Sequence, residues 1–167
     1  MSRTAEEAAA EVVALAIARG VTVATAESLT AGMVAAVLAN TPGASGMLQG
    51  GVVAYQNSVK AAVLGVSESL LVEAGSVDAG VARAMAEGAR KACGADVGVS
   101  TTGVAGPEAH DGKDVGTVFI AVASEQGSEA FGYAFSGSRG EIREQAAAAA
   151  LERVLDLLRN AELPQVK

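Results

Sequence analysis

The chain has 167 residues, half of them hydrophobic but only 3% aromatic, with 20 glycines and a net charge of −7. That length holds one domain with a full core and excludes two ordinary ones, so residues 1–167 read as a single domain. No run approaches the ~18 apolar residues of a membrane span. An acidic chain poor in aromatics also lacks the electrostatic footprint of a nucleic-acid binder.

The first residues, Met1-Ser2-Arg3-Thr4-Ala5-Glu6-Glu7, have no apolar stretch of signal-peptide type. Thr4 to Glu7 has capping-box spacing and opens an Ala-rich helix that Gly20 ends. Val21–Ala26 is predicted as a strand, followed by a helix from Met33 to near Asn40. Thr41 to Gly46 is a turn cluster, and Met47–Tyr55 a strand whose paired Gly50 and Gly51 suggest a bulge or close contact. Val59–Leu64 and Ser67–Ala74 read as short helices, and Asp78 caps a longer one reaching Ala92. Asp96–Ser100 is a buried strand opening into a Gly-rich turn, Thr101–Pro107, and a polar loop from Glu108 to Asp114. Val115–Ala123 and Ala130–Phe135 are strands joined by a hairpin turn over Glu125–Ser128. Arg139–Arg159 is the last helix, and Pro164 lies in a polar tail. Helices alternating with strands, plus one hairpin, predict a three-layer α/β/α sandwich with a mixed sheet.

The octet Thr25-Ala26-Glu27-Ser28-Leu29-Thr30-Ala31-Gly32 places Ser28 between strand and helix. A helix N-terminus there suits an anion or an oxyanion, while Ser28 or Thr30 as a plain N-cap is the competing reading. A serine nucleophile needs a base. The only histidine, His110, lies in the polar loop, and no G-x-S-x-G surrounds Ser28, so a Ser-His-Asp triad is rejected. Of the lysines, Lys60 stands apart: it follows the strand carrying Tyr55 and sits among Val59, Ala61, Ala62 and Val63. A buried lysine can serve as base; a solvated one at a helix start cannot, and both readings stay open. Tyr55 is either a proton relay or an interface aromatic. The Gly103–Gly106 turn could cradle a phosphate, and Arg139 with Arg143 forms a second anion candidate on a helix face. One histidine, one cysteine (Cys93) and no carboxylate cluster at ligand spacing argue against a metal. The lone cysteine excludes an internal disulfide and fits a reducing, cytoplasmic setting.

Ala26-Glu27-Ser28-x-Thr30-x-Gly32, Gly50-Gly51-Val52-Val53-Ala54-Tyr55-x-Asn57-x-x-Lys60 and Ser100-x-Thr102-Gly103-Val104-Ala105-Gly106-Pro107 occur in order. Val115-Gly116-Thr117-Val118 and Gly137-x-Arg139-x-x-Ile142-Arg143 follow. Together they resemble the CinA C-terminal domain family, whose stand-alone bacterial members include nicotinamide-nucleotide amidase. The resemblance spans nearly the whole chain. It implies hydrolysis of the carboxamide of nicotinamide mononucleotide to nicotinate mononucleotide and ammonia, without a metal or organic cofactor, in pyridine nucleotide salvage. It implies Ser28 as nucleophile, Lys60 as its base and Tyr55 assisting proton transfer. Thr30, Gly32, Thr102, Gly103 and Gly106 would bind substrate, and Arg139 is placed here as the phosphate partner. It also implies dimers or larger oligomers, and an α/β/α sandwich.

The chain departs from the family pattern at Leu29 (usually Cys), Ala31 (Gly), Asp78 (Ser), Asp114 (Pro) and Ser138 (Asp). The loop from Glu108 to Asp114 is also less glycine-rich than usual. None of these positions is Ser28, Tyr55 or Lys60. Two further readings stand beside the amidase: a nucleotide-binding module with little or no turnover, and a Ser-Lys hydrolase for another amide.

Overall fold

Helix α1 (Ala5–Arg19) starts and stops where local chemistry dictates. Thr4 Oγ1 accepts from the Glu7 N–H and the Glu7 carboxylate accepts from the Thr4 N–H, closing the capping box. Gly20 ends the helix at φ 66, and the Val21 N–H bonds back to the Ala16 carbonyl at 2.9 Å. Val21 therefore belongs to the helix cap rather than the sheet, so strand β1 is Val23–Glu27, starting later than the sequence suggested. These features come from a computed structural model, which describes residues 3–160; Met1, Ser2 and the tail with Pro164 lie outside them.

The chain continues through α2 (Met33–Ala39), a 3-10 turn (Ala44–Gly46), β2 (Leu48–Val53), α3 (Asn57–Ala62), α4 (Glu68–Ala74) and α5 (Ala79–Cys93). It closes with β3 (Val97–Gly103), β4 (Thr117–Ser124), β5 (Gly127–Ala134) and α6 (Arg139–Asn160). The sheet order is β2-β1-β3-β4-β5. β1 is parallel to both β2 and β3, whereas β4 runs antiparallel to β3 and β5 antiparallel to β4. The pairing of β1 with β2 slips between Val23 and Ala24, skipping Gln49, which is the irregularity foreseen beside Gly50 and Gly51. β3 runs on to Gly103 because Thr101 still pairs with Glu27 while Gly103 pairs with Val118. Ser124 pairs with Gly127, so the last hairpin turns on only Glu125 and Gln126.

Period-two alternation splits the sheet into two unlike faces. Val23, Val97, Val99, Val118, Ile120 and Val122 face α1, α2 and α6 in one large core. Ala24 and Ala26 pack toward α3, α4 and α5, and Ala121 and Ala123 toward Ala82 and Ala86 of α5. On that second side the backbones nearly touch: a Cβ on Gly98 would lie 2.1 Å from the Ala86 carbonyl oxygen. A core almost free of aromatics is close-packed here by small residues and backbone proximity.

β1 leads to β2 on one side and β3 lies on the other, with α2 and α5 on opposite faces. Ligand crevices of open α/β sheets form at such a switch point, outside the carboxyl ends of the parallel strands. Ser28 follows β1 there, and the Gly103–Pro107 segment follows β3. The polar loop beyond it is more ordered than its composition suggested. His110 and Lys113 exchange both backbone hydrogen bonds around Asp111 (φ 50) and Gly112 (φ 72), a two-residue Asp-Gly hairpin. Asp111 Oδ2 accepts from the Ser76 N–H and hydroxyl, both at 3.1 Å, which ties the hairpin down.

Two backbone details are testable. The Ser76 N–H holds the Asp111 carboxyl below its ordinary value of 3.8, so the tie is intact above that pH and is lost as pH falls through the depressed value. Amide exchange protection at Ser76 will accordingly drop on acidification, and will be absent at all pH values in Asp111→Ala. Ala31 is exposed and left-handed at φ 48. Ala31→Gly removes a strain of about 1 kcal/mol and restores chain entropy of similar size, so denaturant midpoints will stay level or rise slightly. Ala35→Gly, inside α2, will instead cost about 1 kcal/mol.

Candidate functional site

Ser28 Oγ lies 3.0 Å from Lys60 Nζ. Lys60 comes from the last turn of α3 and is only 1% exposed, so it is not the solvated residue that a polar side chain at a helix end usually is. Its Nζ also donates to the carbonyl oxygens of Ala54 at 2.8 Å and Tyr55 at 3.2 Å. Carbonyls only accept. In the neutral amine the two hydrogens are thus directed at Ala54 and Tyr55, and the lone pair is left facing the Ser28 hydroxyl. Burial lowers the Lys60 pKa from 10.5 to about 8, because desolvation penalises the ammonium form. The pair can therefore act as nucleophile and base near neutral pH.

The turn after Ser28 is fixed from several sides. The Ser28 N–H donates to the Thr101 carbonyl at 3.0 Å, and the Ala31 N–H donates to the Ser28 carbonyl at 3.1 Å. Arg143 Nε donates to the Leu29 carbonyl at 2.8 Å and its Nη2 to the Thr30 carbonyl at 3.2 Å. Neither Ser28 nor Thr30 caps α2, which corrects the N-cap reading. The N-cap is Gly32 at φ 97, without a side-chain bond. The Glu27 carboxylate takes the Val34 and Ala35 N–H groups in its place.

A cavity of about 490 Å³ opens over Ser28, within the size range of small-molecule sites. Ser28 and Leu29 line it, with Tyr55–Asn57 on one side and Gly103–His110 with Ser76 on the other; Arg139 completes the wall. Arg139 starts α6 and bridges the two sides: Nη1 donates to the Gly106 carbonyl and Nη2 to Tyr55 Oη, the latter at 2.9 Å. Tyr55 is 49% exposed, so its carbonyl, not its phenol, touches Lys60. A larger groove of about 850 Å³ runs between the start of α1, α2 and α6, lined by Met33, Val37 and Phe135 among others. It contains no paired nucleophile and base.

Of the residues singled out in the sequence, Ser28, Lys60, Tyr55, Gly103, Gly106 and Arg139 gather at this crevice. Thr30 and Thr102 are fully buried behind it, their hydroxyls donating to Glu27 at 2.7 Å and to the Ser76 carbonyl at 2.6 Å. Gly32 sits at the α2 start and does not line the cavity. His110 does line it from the hairpin, 63% exposed, with Nε2 at 3.3 Å from Asp111. Among the described residues no three of His, Cys, Asp and Glu come together to hold a metal ion, and no helix is long and apolar enough to cross a membrane. Sequence reasoning passed over Glu27, Thr101 and Ser76. The available signal was Glu27 itself, a lone charge closing a strand otherwise made of Val, Ala and Thr.

Residues 5–158 match the CinA C-terminal domain family. A CinA-like protein of Anaeromyxobacter sp. (strain K) is 50% identical over 141 residues, which cover 84% of this chain and 35% of that protein. A putative competence-damage inducible protein of Bacillus pumilus is 45% identical over 142 residues, covering 85% of this chain and 34% of the relative. The chain thus spans about a third of the length of these curated relatives. Among solved structures, competence damage-inducible protein A (ComA) of Klebsiella pneumoniae superposes with TM-score 0.92 at 30% identity, over 96% of this chain and 100% of that one. Competence/damage inducible protein CihA of Agrobacterium tumefaciens does so with TM-score 0.88 at 33% identity, over 94% and 99% of the two chains. With its motifs in order, its mixed sheet and its crevice on the same scaffold, the chain belongs to the CinA C-terminal domain family.

Proposed function

We propose that this domain hydrolyses the carboxamide of nicotinamide mononucleotide to nicotinate mononucleotide and ammonia, with Ser28 as nucleophile and Lys60 as base. The observation that carries the reading is the buried Lys60 amine, 3.0 Å from the Ser28 hydroxyl, with its two other partners both acceptors. The substrate follows from the motif resemblance and suits a small cavity with a cation on its wall.

In this reading neutral Lys60 takes the Ser28 hydroxyl proton as Oγ attacks the carboxamide carbon. The C–N bond then breaks, and Lys60 returns that proton to the departing nitrogen, which leaves as ammonia. Water attacks the resulting ester with Lys60 again as base, and the acid product and free Ser28 are regenerated. Tyr55 assists through its carbonyl, which orients the amine. Its phenol, paired with Arg139, borders the phosphate side of the cavity. Arg139 exchanges part of that pairing for the substrate phosphate, where a charge-assisted bond adds specificity.

Ammonia release, measured by a coupled assay, tests the scheme. Ser28→Ala and Lys60→Ala should each lower kcat by more than about 10³-fold. Because the reactive form is the neutral amine, the rate should rise about tenfold per pH unit below the Lys60 value of about 8 and level off above it. Lys60→Arg, which stays protonated, should be inactive throughout. Binding of the mononucleotide without ammonia release would favour the binding-module reading, and full activity in Ser28→Ala would remove the nucleophile. Nicotinamide riboside should show a KM about ten- to a hundredfold higher than the mononucleotide, and Arg139→Ala should narrow that gap.

A further inference from the structure

Glu27, the last residue of β1, is 1% exposed and has no part in the chemistry above. Its Oε1 accepts from the Thr30 hydroxyl at 2.7 Å and the Val34 N–H at 2.8 Å, and its Oε2 accepts from the Ala35 N–H at 3.1 Å. Thr30 Oγ1 also lies 2.8 Å from Thr101 Oγ1. A hydroxyl has one hydrogen. Since Thr30 gives its hydrogen to Glu27, it must accept the hydrogen of Thr101. Thr101 Oγ1 is then free to accept, and it lies 3.3 Å from the Ser28 N–H, which donates to the Thr101 carbonyl as well. One direction therefore runs through the whole chain, from the Ser28 N–H to Thr101, to Thr30, to Glu27. Thr30 is 0% and Thr101 1% exposed, so no water competes for these bonds.

We infer that Glu27 is a positioning residue for Ser28, acting through the hydroxyls of Thr101 and Thr30. This rests on the reading of Ser28 as nucleophile. Two threonine hydroxyls have no preferred direction of their own; an acceptor at one end imposes it and strengthens each bond in turn. The same carboxylate grips the first N–H groups of α2. The turn that carries Ser28 is thereby fastened to β3 on one side and to α2 on the other. Its purpose is to keep Ser28 Oγ opposite the lone pair of Lys60, where a shift of about 1 Å costs about 10²-fold in rate.

The test is the rate at which an aryl sulfonyl fluoride modifies Ser28, read by mass spectrometry, alongside KM for the mononucleotide and the melting temperature. Thr101→Val keeps the strand and its carbonyl but removes the relay hydroxyl, while Thr101→Ser keeps the hydroxyl and removes the methyl. Labelling should slow about ten- to a hundredfold in Thr101→Val, with KM and melting temperature little changed, and return in Thr101→Ser. Glu27→Gln, which sets an amide donor against an N–H donor, should slow it at least as much. Equal labelling in Thr101→Val and the unsubstituted protein, or equal slowing in both Thr101 variants, would overturn the inference while leaving the nucleophile in place. No labelling of Ser28 in the unsubstituted protein would overturn the nucleophile reading and this inference together.

Discussion

Lys60 reaches back from α3 to the carbonyls of Ala54 and Tyr55 and the hydroxyl of Ser28, so one amine joins the end of β1 to the segment that follows β2. An ammonium out of water is costly, and its position in a fold has to be enforced by the surroundings. Here the enforcement is geometric. The two carbonyls belong to backbone already fixed by the sheet, since the Ala54 N–H donates to the Glu27 carbonyl at 2.8 Å. The strand ends thus define where the amine sits, and the amine in turn holds the start of the chain leading to α4 and α5. Displacing β1 or β2 by a residue would separate the Ser28 hydroxyl from the Lys60 amine, so the sheet register and this contact are one constraint.

The unlike faces of the sheet serve that constraint differently. On the α1, α2 and α6 side, large aliphatic side chains form the main core and Arg143 reaches from α6 to the turn after Ser28. On the α5 side, small residues bring helix and strand backbones together, and hydroxyls of β3 fill what remains. Ser100 Oγ donates to the Ala82 carbonyl at 2.6 Å, and Thr102 Oγ1 to that of Ser76 at the same distance. Thr101, between them, faces the other way, toward Thr30 and Ser28. Three consecutive hydroxyls on β3 therefore divide between tying the strand to the segment around α5 and supporting the crevice.

Much of this was legible in the sequence where a single residue decides a local outcome. Thr4, Gly20 and Asp78 bound their helices as caps do, and the Gly50-Gly51 pair marked an irregular pairing. What could not be read were properties that depend on distant partners. Lys60 can be read as buried or solvated until α3 is docked at the end of β1, and Ser28 as a cap until Glu27 takes the α2 amides. Even Asp111-Gly112 reads as loop in the sequence, because the short hairpin lacks the alternating flanks that ordinarily betray one. The motifs located the crevice; only the fold shows that Thr30 and Thr102 stand behind its wall.

The wall of that crevice is fastened by different means along its length. Arg139, at the start of a long helix packed along the main core, holds both sides at Tyr55 and Gly106, whereas the loop beyond Gly106 ends in a short hairpin fastened through one carboxylate to Ser76. The Ser76 carbonyl in turn accepts from Thr102, so the tip of the hairpin is tied back to β3 through Ser76, while its base continues the β3–β4 pairing through Val104 and Gly116. Loops attached in this way can be exchanged without disturbing a core. Substitutions between Glu108 and Asp114 should therefore reshape the mouth of the crevice while Ser28 and Lys60 beneath it keep their contact.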